Sequence, residues 1–196
     1  MNSIKILITG FQPFGDVKVN PSERLAKHLA AQKIDGAEIR SIILPVTLDC
    51  RKIVENALKS EKFNAVIHFG VAAKREQITP ELVAINCLDF DIPDNDGKVF
   101  HDEKIEKRGP AAYFATLPNR AIAEALKCAG FASLVSTTAG TYLCNYLMYS
   151  TLHLLGKKRR KIPAGFIHLP PLEKLPEEKL FDAGKLILQE IARKIQ

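Results

Sequence analysis

Apolar runs rich in β-branched residues alternate along the chain with segments in which apolar residues recur every three or four positions. The runs predict buried strands, whereas the longer spacing predicts helices with one apolar face. The predicted strands cover residues 4–9, 37–46, 63–69, 82–88, 132–137 and 164–168. The predicted helices begin near Asn20, Asp49, Asn119, Thr141 and Pro176. This alternation is typical of an α/β protein.

The order of these elements predicts how they assemble. Strands that alternate with helices of about a dozen residues form a largely parallel, twisted sheet with helices on both faces. No internal repeat, low-complexity tract or interdomain linker interrupts the pattern. We therefore expect one three-layer α/β/α domain over residues 1–196.

Two of the helix starts carry specific signals. Asn20 has a side chain suited to an N-cap, and Pro21 suits the first helical position. Glu23 stands where a capping box places its acidic partner. Asp49 is the candidate cap of the second helix. These residues predict where the loops that follow the first two strands end.

The stretch from residue 136 to residue 149 runs from a strand through a turn into a helix. Gly140 supplies the turn and Thr141 is the candidate N-cap, which places Cys144 in or near the first helical turn. Free backbone N–H groups and the positive end of the helix dipole favour a thiolate there and can also hold an oxyanion. Cys144 is therefore a candidate nucleophile. The alternative is a small buried apolar residue, which is what most free cysteines are.

A cysteine nucleophile needs a base and a group that orients the base. In an open parallel sheet, sites lie beyond the carboxyl ends of the strands. The segments that follow predicted strand ends are residues 10–15, 70–81, 140–144 and 168–170. His168 lies at this edge and is the best candidate base, whereas His68 lies inside a strand and is interpreted as a core residue. Spacing alone leaves the orienting carboxylate open between Glu76, Glu81 and Asp94.

Composition narrows the class of protein. A chain of 196 residues with 46% hydrophobic and 26% charged residues is long enough for one well-buried domain. No apolar run is long enough to span a bilayer, and the N-terminus enters a strand rather than a signal peptide. We therefore expect a cytoplasmic protein without a membrane partner.

The four cysteines are far apart and form no C-x-x-C pair, so neither a disulfide framework nor a zinc site is expected.

The formal net charge of +6 raises the question of nucleic-acid binding. Much of the excess lies in one block, residues 157–161, which contains no aromatic residue. Such a block is more often a solvated loop than a binding surface. A basic binding module that works through this block is the alternative to an enzyme, and nucleic acid is not the expected partner.

Seven segments, in order along the chain, resemble the pyroglutamyl peptidase I family. They are GFQPFG (10–15), NPSE (20–23), REQITPELVAIN (75–86), IPDNDG (92–97), GPAAYFATLP (109–118), TAGTYLCNYLMY (138–149) and GFIHLP (165–170). Members are cysteine peptidases that remove N-terminal pyroglutamate from peptides. The resemblance implies a Glu, Cys, His triad at Glu81, Cys144 and His168, and so selects one of the three carboxylates.

The resemblance also implies how the substrate is held. Phe11 and Phe14 match the two phenylalanines that flank the lactam ring, and Asn20 matches a loop asparagine near the substrate. A small, planar, uncharged lactam suits a slot between aromatic faces. Its N–H and C=O groups need polar partners, for which we expect backbone groups of Gly70, Val71 and the Asn20 loop. The family resemblance further implies no metal or organic cofactor and a homo-oligomer, in many members a tetramer.

The chain departs from the family pattern at a few positions. Asp91 stands where the family usually has an arginine close to the catalytic centre, Leu82 replaces a frequent arginine, and Val71 replaces a frequent glutamine. The segment after His168 is also shorter than usual. Asp91 motivates the alternative of a weak or inactive member that binds pyroglutamyl peptides. We expect instead that Asp91 points away from the site and pairs with Arg75.

Overall fold

The structure is a computed structural model that describes residues 4–15, 17–34 and 36–195. The strands are β1 (Ile4–Phe11), β2 (Ala37–Leu44), β3 (Ala65–Val71), β4 (Thr79–Pro80), β5 (Val83–Ile85), β6 (Leu88–Phe90), β7 (Phe100–Glu103), β8 (Ala112–Phe114) and β9 (Ala164–Leu169). The helices are α1 (Pro21–Ala31), α2 (Asp49–Ser60), α3 (Asn119–Cys128), α4 (Leu143–Lys157) and α5 (Glu177–Ile195). In the described ranges no helix has both the length and the apolar character needed to cross a bilayer.

The central sheet has five strands in the order β2-β1-β3-β9-β4. Its first four strands are parallel, and β4 joins the edge antiparallel to β9. Strands β3 and β9 are buried along their whole length, as expected for parallel strands covered on both faces. The predicted, largely parallel sheet is confirmed, and its four parallel strands lie within two residues of the predicted bounds.

Helices cover both faces of this sheet and form two apolar cores. Helices α1, α3 and α5 pack on one face and contribute Leu25, Ile122 and Ile187 to its core. Helices α2 and α4 pack on the other face and contribute Val54 and Leu147. The apolar residues that recur every three or four positions in each helix thus face the sheet. The predicted three-layer arrangement is confirmed.

The single strand predicted over residues 82–88 is wrong. The segment forms two short strands outside the central sheet, β5 paired with β8 and β6 paired with β7. The backbone turns at Asn86, where the Cys87 N–H donates to the Ile85 carbonyl at 2.9 Å. The side chain of Asn145 on α4 holds this turn: its Oδ1 accepts the Ile85 N–H at 2.8 Å, and its Nδ2 donates to the Ile85 and Cys87 carbonyls at 2.9 Å.

The strand predicted over residues 132–137 is reduced to two isolated bridges, Ile78 with Ser133 and Glu81 with Ser136. Backbone bonds join residue 78 to residues 132 and 134, and residue 136 to residues 80 and 82. A continuous ladder would also need the N–H of residue 80 to donate to the carbonyl of residue 134. Residue 80 is a proline, which has no backbone N–H. One proline thus divides what the apolar pattern predicted as a continuous strand.

The start of α1 is as predicted except at one residue. Asn20 is the N-cap, and its Oδ1 accepts the Ser22 N–H at 3.1 Å. Pro21 is the first helical residue. Glu23 does not complete the expected capping box, because its carboxylate binds Lys27 one turn along at 2.6 Å.

The caps expected for α2 and α4 are wrong. Asp49 is the first residue of α2, and the N-cap is Leu48, which has no side-chain hydrogen bond to the helix. The Asp49 N–H donates to the Thr47 hydroxyl at 3.3 Å. Helix α4 begins after Tyr142 without a side-chain cap. The Thr141 hydroxyl instead donates to the Asp89 carbonyl at 2.5 Å, which ties β6 to the start of α4.

Gly10 lies where β1 touches the start of α1. A Cβ at residue 10 would overlap the Ser22 carbonyl oxygen and lie 2.9 Å from the backbone nitrogen of Glu23. We expect Gly10→Ala to lower the free energy of unfolding by roughly 1–3 kcal/mol, because overpacking against backbone cannot relax by rotating a side chain. Denaturant unfolding measures this loss. Gly156→Ala is the control, because nothing lies within 4 Å of a Cβ there; equal stability of the two variants would contradict the prediction.

Candidate functional site

The topology of the sheet opens a gap between β1 and β3. The chain runs from β1 outward to β2 and then returns to place β3 on the other side of β1. Strands β1 and β3 pair only from Ile6 and Ala65 to Thr9 and His68, and beyond that point they separate. Such a switch point, at the carboxyl ends of parallel strands, is where open α/β sheets bind ligands.

A small cavity of about 130 Å³ lies in this gap. The structure brings seven of the eight predicted site residues to its wall: Phe11, Phe14, Asn20, Gly70, Val71, Cys144 and His168. The eighth, Glu81, lies behind His168. Four further lining residues were missed by the sequence analysis: Val46, Ala139, Tyr142 and Leu143.

One half of the cavity is aromatic. The ring centroids of Phe14 and Tyr142 lie 6.0 Å apart, with an angle of 32° between the ring planes. The Phe11 ring packs on Phe166, with 6.5 Å between their centroids. The Tyr142 hydroxyl donates to the Pro93 carbonyl at 3.2 Å, which turns its polar end away from the ring faces. Burial raises the pKa of Tyr142 to about 12, so the phenol is neutral. This half of the cavity suits a small uncharged ring.

The loop after β1 is held in place by Asn20, which is 1% exposed. Its Nδ2 donates to the Gln12 carbonyl at 3.1 Å, and its Oδ1 accepts the Ser22 hydroxyl at 2.8 Å. The Ser22 hydroxyl oxygen in turn accepts the Phe11 N–H at 2.9 Å. Because a side-chain amide has two N–H donors, this network leaves one of them for a ligand.

Cys144 is the second residue of α4, on the wall of the cavity. The first backbone N–H groups of a helix have no intrahelical acceptor, so this position offers donors to an anion. Strand β3 approaches the thiol closely at Gly70. A Cβ there would lie 2.6 Å from the Phe166 ring and 3.2 Å from the Cys144 sulfur. Glycine at position 70 is therefore required by this close approach.

His168 ends β9 and is hydrogen-bonded to Glu81. Its Nδ1 lies 2.7 Å from Glu81 Oε1, and both side chains are buried. The pairing of β4 with β9, with Thr79 opposite His168, brings the carboxylate to the ring. A carboxylate on Nδ1 holds that nitrogen as a donor and leaves Nε2 as a proton acceptor.

The other two candidate carboxylates are bonded elsewhere. Glu76 is exposed and forms an ion pair with Lys174 at 2.6 Å. Asp94 is buried in a turn, where its Oδ1 accepts the N–H groups of Asp96 and Lys98 at 2.9 Å. Of the three carboxylates that spacing left open, only Glu81 contacts His168.

The expected pairing of Asp91 with Arg75 is wrong. The Asp91 side chain is 97% exposed, and its neighbour is His101, whose Nδ1 lies 3.9 Å from Asp91 Oδ1. The Arg75 guanidinium donates to Glu81 Oε1 and, at 3.0 Å, to the Thr138 carbonyl. The buried carboxylate attracts the arginine more strongly than an aspartate in water can, since water screens the exposed charge. Asp91 does point away from the cavity, as predicted.

Sequence comparison agrees with this geometry. A family profile described as pyroglutamyl peptidase matches residues 4–193. The chain belongs to the pyroglutamyl peptidase family. It is 42% identical over 183 residues to the pyrrolidone-carboxylate peptidase of Pyrococcus furiosus, covering 93% of this chain and 86% of that protein. It is 43% identical over 182 residues to the pyrrolidone-carboxylate peptidase of Levilactobacillus brevis, covering 92% of this chain and 87% of that protein.

Solved structures give the same result. A mutant pyrrolidone carboxyl peptidase from Pyrococcus furiosus superposes with a TM-score of 0.94 at 36% identity, covering 98% of this chain and all of that chain. Pyroglutamyl peptidase I from Bacillus amyloliquefaciens superposes with a TM-score of 0.91 at 36% identity, covering 97% and 95%. The resemblance seen in the seven sequence segments is confirmed, and pyroglutamyl peptidases are cysteine peptidases.

The charge state of the thiol differs from the expectation for a helix start. The pKa of Cys144 is raised to about 12, mainly by burial and also by the negative charge of Glu81, while the Arg75 charge acts in the opposite direction. Burial also lowers the pKa of His168, whereas the hydrogen bond that His168 Nδ1 donates to Glu81 raises it. The expected thiolate is therefore wrong for this pyroglutamyl peptidase: desolvation outweighs the helix dipole. The resting pair is a thiol beside a neutral imidazole.

This charge state predicts slow alkylation of Cys144 at neutral pH. Only the thiolate reacts with iodoacetamide, so the rate at Cys144 is expected to keep rising through about pH 9, close to tenfold per pH unit. Free cysteine levels off above its ordinary pKa of about 8.5 and serves as the reference. Mass spectrometry of the peptide that carries Cys144 measures the rate. A plateau below pH 8 at this residue would show that the pair rests as thiolate and imidazolium.

His68 and the basic block behave as the sequence analysis expected. His68 lies in the core, with Nδ1 2.8 Å from the Thr9 hydroxyl and Nε2 3.0 Å from that of Thr151, and burial lowers its pKa to about 3. Residues 157–161 form the end of α4 and the turn after it, largely exposed to solvent. Neither feature contributes to the cavity wall.

Proposed function

We propose that this protein is a cysteine peptidase that hydrolyses the bond after an N-terminal pyroglutamyl residue of peptides, with residues 1–196 acting as one catalytic domain. One observation carries the proposal. A ring-sized, aromatic cavity at the switch point of the sheet has Cys144 and His168 on its wall, and Glu81 is hydrogen-bonded to the far side of His168.

The aromatic half of the cavity receives the pyroglutamyl ring. Phe11 and Phe14 supply the apolar faces, and Asn20 supplies its remaining N–H. In β3 the peptide groups of residues 66 and 72 bond towards β9, so by alternation those of residue 71 face the gap left by β1. The Val71 peptide group, with Gly70 beside it, is the partner we propose for the N–H and C=O of the lactam.

Acylation begins with the thiol and the imidazole both neutral. His168 Nε2 takes the proton from Cys144 as the sulfur attacks the carbonyl that joins pyroglutamate to the next residue. The imidazolium that forms is stabilised by the Glu81 carboxylate, 2.7 Å from Nδ1. The negative charge on the carbonyl oxygen is held by the free N–H groups at the start of α4, including that of Cys144.

Collapse of this intermediate breaks the peptide bond. His168 gives its proton to the leaving amine, and the pyroglutamyl group remains as a thioester on Cys144. A water molecule then loses a proton to His168 Nε2 and attacks the thioester. The sulfur leaves and regains a proton from His168, which releases free pyroglutamate and restores the starting state.

Turnover of a chromogenic pyroglutamyl amide tests the proposal. We expect release of the chromophore from the pyroglutamyl amide and none from the corresponding prolyl amide, which has a charged amine and lacks the lactam carbonyl. Alkylation of Cys144 should abolish release. Tight binding of a pyroglutamyl amide without turnover would contradict the proposal and support a binding protein, an alternative that the outward orientation of Asp91 does not favour.

The exposed position of Asp91 predicts a small effect of its removal. Asp91→Ala is expected to change kcat/KM less than tenfold, which corresponds to about 1.4 kcal/mol of barrier, because a carboxylate that is 97% exposed is screened from the thiol. Steady-state kinetics on the pyroglutamyl amide measures the change. A large gain in rate would mean that the carboxylate turns towards the site and opposes thiolate formation.

A further inference from the structure

The loop between β3 and β4 places Arg75 against the back of the catalytic group. Its guanidinium donates to Glu81 Oε1, the same oxygen that lies 2.7 Å from His168 Nδ1. It donates also to the Thr79 hydroxyl at 2.5 Å and to the Thr138 carbonyl at 3.0 Å. One planar side chain thus connects the carboxylate, the strand beside His168 and the turn that leads into α4.

Glu81 occupies surroundings in which a negative charge is costly. Its side chain is fully buried, and Oε2 has no hydrogen-bond partner in the part of the chain that the structure describes. A buried carboxylate stays ionised only when a nearby cation and hydrogen bonds compensate for lost water. Neutral His168 supplies a hydrogen bond but no charge. Within the described ranges Arg75 is the only lysine or arginine that contacts Glu81.

We propose that Arg75 is a positioning residue of this site: its guanidinium holds Glu81 ionised and aimed at His168, and it fixes that pair relative to the turn before Cys144. Arg75 is not on the wall of the cavity, so it acts through Glu81 and not on the ring of the substrate. The inference rests on the proposed function, because it concerns the pair that activates Cys144.

Arginine suits this role better than lysine. Its rigid fork offers several donors in one plane, whereas lysine offers a single flexible point of charge. The three acceptors of Arg75 lie on two segments that are far apart in the sequence: Thr79 and Glu81 belong to the segment beside His168, and Thr138 belongs to the turn before α4. An ammonium group at position 75 can stay beside the carboxylate but cannot reach all three acceptors. Charge and geometry can therefore be separated by substitution.

The direction in which the Arg75 charge shifts the pKa values of the site follows from the titratable and charged groups around it. They are Glu81, His168 and Arg75, Cys144 and Tyr142 at the start of α4, and Cys50 on α2. Burial is the largest influence on the pKa of His168 and of Cys144, and the Arg75 charge lowers both. Removing this cation therefore raises the pKa of His168.

Two variants separate charge from geometry, each compared with the parent enzyme. Arg75→Gln keeps a polar side chain and loses the charge, so the acid limb of kcat/KM and the His168 titration followed by NMR should both move up by about one pH unit or more. Arg75→Lys keeps the charge, so both should stay near the parent values while kcat falls by up to roughly a hundredfold through misplacement of the pair. Arg51→Gln is the matched control, because Arg51 is a half-buried arginine that also binds carboxylates, and it should leave both curves unchanged.

The outcomes distinguish this inference from the proposed function. An Arg75→Gln protein that folds, with the acid limb and the His168 titration both unmoved, overturns the role of Arg75 even if the parent enzyme turns over pyroglutamyl amides. A parent protein without turnover, in which the His168 titration still moves in Arg75→Gln, overturns the proposed function and supports the role of Arg75. If Arg75→Gln fails to fold, an upward shift of the acid limb in Arg75→Lys equally overturns the inference, since the charge is retained.

Discussion

Replacing Cys144 by alanine is expected to lower the hydrolysis of a pyroglutamyl amide by roughly 10⁴-fold or more. Removing the nucleophile of a covalent peptidase leaves only binding and the oxyanion donors, which give a small residual rate over water. The Cys144 sulfur is on the wall of the cavity at the start of α4, next to Gly70 of β3. Steady-state kinetics with purified variants measures the loss.

The other cysteines provide the controls. Cys128 is exposed and Cys87 is half-buried, and neither lines the cavity, so serine at either position should leave kcat/KM unchanged. Cys50 is buried in the core beneath α4, and burial raises its thiol pKa strongly. Replacing Cys50 by serine should lower the stability of the protein more than its activity. Rapid acid quenching of the parent enzyme should trap a pyroglutamyl group on the peptide that carries Cys144; acylation at Cys50 instead would identify a different nucleophile.

The central sheet could be predicted from the sequence because its strands need little context. β1, β3 and β9 are buried on both faces, so a continuous apolar run is the signal that parallel strands must carry. The outer pieces depend on distant residues and could not be predicted in the same way. The turn between β5 and β6 is held by Asn145, about 60 residues further along the chain.

The site was predictable to a similar extent. Cys144 and His168 could be found because each follows a strand end on one edge of the sheet, which is a property of topology. The carboxylate could not be chosen from spacing, since contact with His168 depends on the antiparallel edge strand β4. Family resemblance selected Glu81, and the geometry agrees with that choice.

The charge of the thiol and the partner of Arg75 were both missed for one physical reason. A helix start favours a thiolate, and Asp91 is an ordinary partner for an arginine, but each argument ignores burial. Desolvation of Cys144 raises its pKa, and desolvation of Glu81 makes Arg75 its partner. The depth of a side chain is set by the whole fold, so local sequence does not report it.

His168→Ala is expected to lower kcat/KM on the order of 10²- to 10⁴-fold, the usual contribution of a general base. Glu81→Ala should also be severely impaired, because it leaves the imidazole unheld and the Arg75 charge unpaired. Glu81→Gln should be the milder change at that site. Its amide oxygen can still accept from His168 Nδ1, yet the charge that stabilises the imidazolium is gone. Kinetics and thermal unfolding of the three variants separate loss of activity from loss of structure.

The pH profile gives Glu81→Gln a signature that instability cannot produce. The hydrogen bond and charge of Glu81 raise the pKa of His168, so the variant imidazole loses its proton at lower pH and the acid limb should move down as the maximal rate falls. This direction is opposite to that expected for Arg75→Gln, because the two substitutions remove opposite charges from the same hydrogen-bonded group. Glu76→Gln is the control, an exposed carboxylate paired with Lys174, and should change neither limb. An acid limb that moves up in Glu81→Gln would mean that another carboxylate orients His168.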